Sequence, residues 1–226
     1  MNKILIIHPH DNTTDFLKPI YNNLRNHRDY EEKIILHRPT ASSENQEMIL
    51  SIIRKNIYNL VLFMGHGKSN ALYGAVNEYR NIDEKGFINE QNIDVFKDKS
   101  VISLSCKSNE KIAILSIKAG AKVFVGFGNL PTDWNSEIGQ DEGLTKKDVN
   151  EFNSIFKLIV FEALYYSLEH QFTFFQFEKV FKIITNKKII ELTDKKYSTN
   201  NWIIQSLYNL KDEIKVFGDS SLKLYT

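Results

Sequence analysis

Short apolar runs alternate with amphipathic segments through the first half of the chain. Runs of strand length, rich in Ile, Leu, Val and Phe, lie at 3–7, 33–36, 60–64, 101–105 and 122–127. Between several of them, at 15–26, 44–58 and 109–119, apolar residues recur with the spacing of a helix that buries one face. This order predicts an α/β fold with a mostly parallel central sheet and helices on both faces.

The second half of the chain is predicted to be mainly helical. Residues 128–145 are mostly polar or glycine and predict a long surface loop, which in a compact domain is often functional. Helical spacing follows at 148–169, 173–192 and 201–211, and a last strand is predicted at 214–217. The stretch 71–96 predicts an irregular connection with small strands. No repeat or linker divides the chain, so we expect a single domain over residues 1–226.

Composition excludes several classes of function. Lys and Arg number 29 and Asp and Glu number 28, so no overall field attracts nucleic acid or a membrane surface. The apolar runs are far shorter than the roughly 20 residues of a membrane helix, and the start of the chain reads as a first strand and not a signal peptide. We expect a cytoplasmic protein with no nucleic-acid or membrane partner. Cys106 is the single cysteine, which excludes an intramolecular disulfide and a cysteine metal cluster.

Two of the predicted strands end in chemically active residues. VLFMGHG places His66 just after one strand, and VISLSC places Cys106 just after the next core strand. Ligands collect beyond the carboxyl ends of parallel strands, where an imidazole can take the proton of a thiol and leave a nucleophilic thiolate. Gly65 and Gly67 flank the histidine and permit a peptide backbone to approach. The amides of Gly67 and Cys106 are candidates for holding an oxyanion.

Each of these residues also has a plain structural interpretation. A lone cysteine at a strand end is more often a small buried apolar residue, and a lone histidine between glycines is as often structural as functional. The joint pattern, with both residues at matching strand ends, favours catalysis. His8 and His10 lie two apart after the first strand, but without a second ligand cluster we expect no metal ion and no cofactor.

Four motifs together resemble those of the caspase-like cysteine peptidases, a group that includes caspases, clostripain, gingipains, separases and bacterial CHAT proteases. They are LVLFMGHG, VISLSC, AGAKVFVGFG and the C-terminal VFGDSSLKL. The caspase signature Q-A-C-x-G is absent, Lys107 follows the cysteine where CHAT proteins often have Glu, and Ser220 replaces the usual proline of the C-terminal motif. The resemblance is therefore nearest to the bacterial CHAT and gingipain-like proteases.

The resemblance implies a caspase-like three-layer sandwich and a chemical role for each candidate residue. Cys106 would attack the scissile carbonyl, His66 would protonate the leaving amine, and the Gly67 and Cys106 amides would form the oxyanion hole. The pocket for the P1 side chain would be built from the loop after the first strand and the segment after the strand that follows the cysteine. Those regions contain Asp11, Asp133 and Trp134, a set that would favour Arg or Lys at P1.

The resulting hypothesis is an endopeptidase that cleaves a specific protein, as relatives do in bacterial defence or cell-death systems. The chain is too short for a built-in sensor, so control would come from a regulatory protein partner, an inhibitory loop or self-cleavage. The first alternative is a catalytically inactive caspase-like module that binds a partner. The second, a flavodoxin-like nucleotide binder, lacks a Gly-rich phosphate loop after the first strand.

Overall fold

The computed structural model describes residues 3–26, 30–75, 86–132, 145–194 and 201–225. The strands in these residues are β1 (Lys3–Ile7), β2 (Ile34–His37), β3 (Tyr58–Met64), β4 (Gly67–Lys68), β5 (Ala71–Leu72), β6 (Ile88–Asn89), β7 (Ser100–Leu104), β8 (Val123–Gly126) and β9 (Lys215–Gly218). The helices are α1 (Lys18–Arg25), α2 (Ser43–Ile53), α3 (Lys111–Lys118), α4 (Lys146–Glu169), α5 (Phe174–Thr193) and α6 (Asn201–Glu213). Short 3-10 turns lie at Asp15–Leu17 and Ile93–Phe96.

A six-stranded sheet in the order β2-β1-β3-β7-β8-β9 forms the centre of the fold. Its first five strands are parallel to their neighbours, and β9 pairs with β8 in the antiparallel direction. Parallel strands are buried on both faces, which explains their continuous apolar sequences. The predicted mostly parallel sheet is confirmed.

Successive side chains of each strand enter opposite cores. In β3, Leu60 and Leu62 face the core that α1, α4, α5 and α6 complete, whereas Val61 and Phe63 face the core that α2 and α3 complete. The two cores give three layers, helix on sheet on helix, as expected. No helix in the described ranges is long and apolar enough to cross a bilayer.

Two of the helix ends that differ from the prediction have a clear structural reason. The helix predicted at 44–58 ends at Ile53, because Tyr58 is buried in β3 and pairs with Lys3. The helix predicted from residue 109 begins at Lys111, because the residues after β7 form a tight turn that carries Cys106. At the start of α4, Thr145 and Asp148 form a reciprocal capping box, so this helix begins at Lys146, two residues before its predicted start. Residues 133–144 of the predicted loop lie outside the described residues.

A small antiparallel sheet of β4, β5 and β6 lies beyond the carboxyl end of β3. It lies within and directly before the stretch predicted as an irregular connection with small strands. Its first strand begins at Gly67, directly after His66. The small sheet therefore fixes the course of the chain next to the histidine.

Candidate active site

His66 and Cys106 follow neighbouring strands of the central sheet. β3 and β7 pair in parallel up to Met64 and Leu104, and each residue of interest lies two positions beyond that last pair. Both side chains line one small cavity at this edge of the sheet. The prediction that the two strands are neighbours, and that imidazole and thiol share a cleft, is confirmed by this arrangement.

The turn that carries Cys106 is tightly braced. Lys107 has a φ of 53°, a left-handed conformation that is uncommon for a residue with a side chain and is often found at functional sites. Its N–H donates to Gly128 O at 2.8 Å. The Ser108 hydroxyl lies 2.8 Å from Ser105 O and accepts a hydrogen bond from Phe127 N at 2.9 Å. These bonds hold the cysteine at the end of β7.

The Cys106 thiol is not paired with the histidine in this structure. Its Sγ donates to Leu130 O at 3.2 Å, and in the described part of the chain no hydrogen bond joins it to the imidazole. Burial raises the pKa of the thiol, and the contact with Leu130 and the charge of Lys107 only partly oppose that effect. The sequence-based expectation was a thiolate stabilised by His66, whereas the structure holds a protonated thiol.

His66 interacts instead with the loop that follows β1. Its Nε2 lies 2.7 Å from Thr13 Oγ1 and 2.9 Å from Asp11 Oδ2. Thr13 Oγ1 donates to Asp11 Oδ1 at 2.9 Å, so the hydroxyl accepts from Nε2. Nε2 therefore carries a proton, and it is the ring nitrogen through which this loop holds His66. Since the N–H is directed at the hydroxyl, Oδ2 lies 2.9 Å from Nε2 without an aligned hydrogen bond.

Asp11 is an ionised carboxylate that is almost fully buried. Burial alone would raise its pKa, but the contacts with His66 and the hydrogen bond from Thr13 N outweigh burial and lower the pKa to about 2. Both carboxylate oxygens are engaged, and the residue is 8% exposed. The expected role of Asp11 was to bind a basic P1 side chain, whereas the geometry favours orienting the imidazole. Asp133 and Trp134, the other expected pocket residues, lie outside the described residues.

Neither predicted oxyanion donor gives its N–H to a carbonyl of the described residues, and the Cys106 N–H lies near its own sulfur. In the pair of β4 and β5, Tyr73 N donates to His66 O, so the next pair, Gly67 with Leu72, is a non-hydrogen-bonded one and the Gly67 N–H points away from β5. The Cys106 N–H has no carbonyl acceptor among the described residues. A Cβ at Gly67 would lie 2.8 Å from Cys106 O, so only glycine permits this approach.

Three residues important to this geometry were not found from the sequence. Thr13 bridges His66 and Asp11, Ser108 braces the cysteine turn, and Leu130 accepts the thiol hydrogen bond. Thr13 carries a usable signal, because an Asp followed by a hydroxyl residue two positions later at a strand end commonly forms a local turn. Ser108 and Leu130 carry no comparable signal.

His8, which raised the question of a metal, supports the loop of Asp11. It is fully buried, and its Nε2 lies 3.1 Å from Thr14 O. Burial lowers its pKa, so the ring is neutral at physiological pH. Among the described residues no group of three possible metal ligands comes together.

Two comparisons with known proteins found no match. The chain matches no protein-family model, and no curated protein is similar enough to count as a match.

Proposed function

We propose that the protein is a cysteine endopeptidase in which Cys106 attacks the scissile carbonyl and His66 acts as acid and base. The observation that carries the proposal is the buried Asp11 carboxylate, which holds His66 through Thr13 at the wall of a cavity that also contains the thiol. Such a carboxylate fixes the tautomer of the ring and stabilises the positive charge that forms when the ring takes a proton.

Each bond change in the proposed reaction has a residue to support it. The thiol proton passes to His66 Nδ1 as the sulfur attacks the carbonyl carbon, and the displaced π electrons move to the carbonyl oxygen. The N–H groups of Gly67 and Cys106 hold that oxyanion. Its collapse expels the amine, which takes the proton from His66 and leaves a thioester on Cys106. Water then gives a proton to His66 and hydrolyses the thioester, and the proton returns to the sulfur.

The resemblance to CHAT and gingipain-like proteases extends the proposal to substrate, partner and biological role. By that resemblance the substrate is a specific protein, a regulatory protein partner controls the enzyme, and the reaction serves bacterial defence or cell death. The closed contact between Cys106 and Leu130 supports regulation, because something must displace the carbonyl before the thiol can react. The expected preference for basic P1 residues would need Asp133, which lies outside the described residues, and it competes with the apolar preference that the described cavity favours. It is checked by comparing the P1 profiles of the wild type and Asp133→Ala.

A digest of a proteome-derived peptide library tests the proposal. We expect the wild-type chain to generate new termini, and Cys106→Ala and His66→Gln to lower the rate by at least about 10³-fold. Both variants should keep a cooperative unfolding transition, which separates lost chemistry from lost folding. Cleavage that survives Cys106→Ala would remove this residue as the nucleophile.

A second candidate function is a caspase-like module that binds a partner without cutting it. The buried, protonated thiol favours this reading, since its hydrogen bond goes to Leu130 and not to His66. The same digest decides between the two. A folded wild-type chain whose products are identical to those of Cys106→Ala would support the binding module.

A further inference from the structure

The cavity beside the thiol has apolar walls. Apart from His66 and Cys106, the largest side chains that line it are Phe16, Leu17, Leu104, Leu130 and Phe156. Its lining contains no Asp, Glu, Lys or Arg among the described residues. The open space is only about 10 Å³, which is about the size of one water molecule. The described side chains, most of them apolar, therefore leave almost no free space next to the thiol.

Leu130 places a side chain and a carbonyl group next to the thiol, as a bound substrate would. Its side chain belongs to the same buried apolar cluster as Leu17 and Phe156 and is 6% exposed. Its carbonyl oxygen accepts the hydrogen bond of the Cys106 thiol at 3.2 Å. A bound substrate must present these two groups together, with its P1 carbonyl at the sulfur and its P1 side chain in the adjoining pocket. The same oxygen also accepts from Thr132 N at 2.7 Å, so a tight turn holds the carbonyl in the direction of the thiol.

We propose that the pocket next to Cys106 takes an apolar P1 side chain of about the size of leucine, and that Leu130 occupies this pocket until a substrate displaces it. This inference rests on the proposed function, because it assigns Cys106 the attacking role. It names the substrate class of that site: peptides with an apolar P1 residue.

The segment that presents Leu130 is held by several hydrogen bonds, which include Lys107 N to Gly128 O at 2.8 Å and Thr132 N to Leu130 O at 2.7 Å. In the Leu130 segment, residues 128–132, Asn129 N donates to Glu213 Oε2 at 2.9 Å, and Thr132 O accepts from Asn153 Nδ2 at 3.1 Å. The Oδ1 atom of Asn153 is buried without a hydrogen-bond partner. Each of these hydrogen bonds can be exchanged for one to water or to a substrate, so substrate binding can offset their loss.

A basic P1 side chain fits these walls poorly. Asp11, the nearest described carboxylate to His66, is engaged on both oxygens and nearly inaccessible. Among the described residues a Lys or Arg side chain entering this pocket would find no charged partner, so its entry is disfavoured. An apolar side chain of similar length loses only water contacts on entering and is favoured.

Peptidyl chloromethyl ketones test the inference without requiring turnover. Two reagents identical except for Leu or Lys at P1 are compared, and in each case the sulfur displaces chloride and forms a thioether with Cys106. Labelling is followed by intact mass and divided by the iodoacetamide rate, which corrects for thiol reactivity. We expect the Leu reagent to react at least tenfold faster, the order of discrimination that an apolar pocket provides.

Variants that loosen the Leu130 segment provide the second part of this test. Leu130→Ala removes the side chain that occupies the pocket. Glu213→Gln weakens the hydrogen bond from Asn129 N without removing a core side chain. The second variant therefore keeps the test valid if Leu130→Ala fails to fold. Both should speed labelling by the Leu reagent several-fold. Equal labelling by the two reagents, faster labelling by the Lys reagent, no labelling at all, or no acceleration in a folded variant would each overturn the inference. Since labelling needs no peptide cleavage, a Leu preference in a chain without peptidase activity would refute the proposed function alone.

Discussion

Asp11→Asn removes the negative charge beside His66 with almost no change in side-chain size. Burial alone would raise the pKa of Asp11, but contacts with His66 and Thr13 lower it from 3.8 to about 2. Each pKa unit corresponds to about 1.4 kcal/mol, so the ionised carboxylate contributes about 2 kcal/mol to the free energy of unfolding at neutral pH. Because the folded pKa is the lower one, this contribution is present above about pH 4 and is lost as the pH falls through about 2.

Urea and thermal unfolding of the wild type and Asp11→Asn measure this contribution. At pH 7 we expect the variant to be less stable by about 2 kcal/mol, or by about 4–8 °C in Tm for a chain of this size. The gap between the two proteins should narrow as the pH is lowered from 4 towards 2, because the wild-type carboxylate then becomes protonated. The Asn amide also places a donor near Nε2, which favours the wrong tautomer of His66, so peptidase activity should fall as well.

Asp94→Asn is the matched control. Its carboxylate is 61% exposed and lies 3.4 Å from Arg54, a surface pair that contributes at most about 1 kcal/mol. If Asp11→Asn is no more destabilising than Asp94→Asn at pH 7, the buried charge does not stabilise the site as argued. A stability gap that stays constant from pH 4 to pH 2 would contradict the lowered pKa.

Three further predictions concern the two strand ends. Gly67→Ala should lower the free energy of unfolding by about 1–3 kcal/mol and reduce cleavage more than tenfold, because the new methyl group meets Cys106 O and Ser105 Oγ at 2.8 Å; unchanged urea unfolding and activity would contradict this. Lys107→Val should be less stable than Lys107→Gly by about 1 kcal/mol or more, because a β-branched residue fits a φ of 53° poorly; equal unfolding midpoints would argue against the left-handed turn. Alkylation of Cys106 by iodoacetamide should be slow at pH 7 and still rise above pH 9, because burial raises the thiol pKa; a rate that levels off by pH 8 would show a thiolate instead.

The sequence predicts the fold well where burial decides the residue type. Strands buried on both faces need continuous apolar runs, so β1, β3, β7 and β8 are visible as such. The end of α2 was missed because its apolar spacing continues into β3, and only the pairing of Tyr58 with Lys3 shows where the strand begins. Short-range patterns do not contain that long-range contact.

Only part of the candidate site, too, could be predicted from the sequence. His66 and Cys106 were predictable together, because residues at the carboxyl ends of neighbouring parallel strands must lie close. The position of Asp11 against His66 depends on β1 lying beside β3, a strand order that the sequence does not state. Leu130 was not predictable, because its role depends on its carbonyl, which every residue has.

In this structure the two halves of the proposed catalytic pair each have their own partner. His66 is held by Asp11 and Thr13, and Cys106 is held by Leu130 O. In the proposed reaction the thiol would lose its acceptor when a substrate takes the place of Leu130, and the imidazole would then take its proton. A substrate whose P1 side chain fits poorly leaves Leu130 in place and the thiol protonated. Selectivity and activation would thus come from the same displacement, so a variant that loosens the Leu130 segment should cut faster and discriminate less between P1 residues.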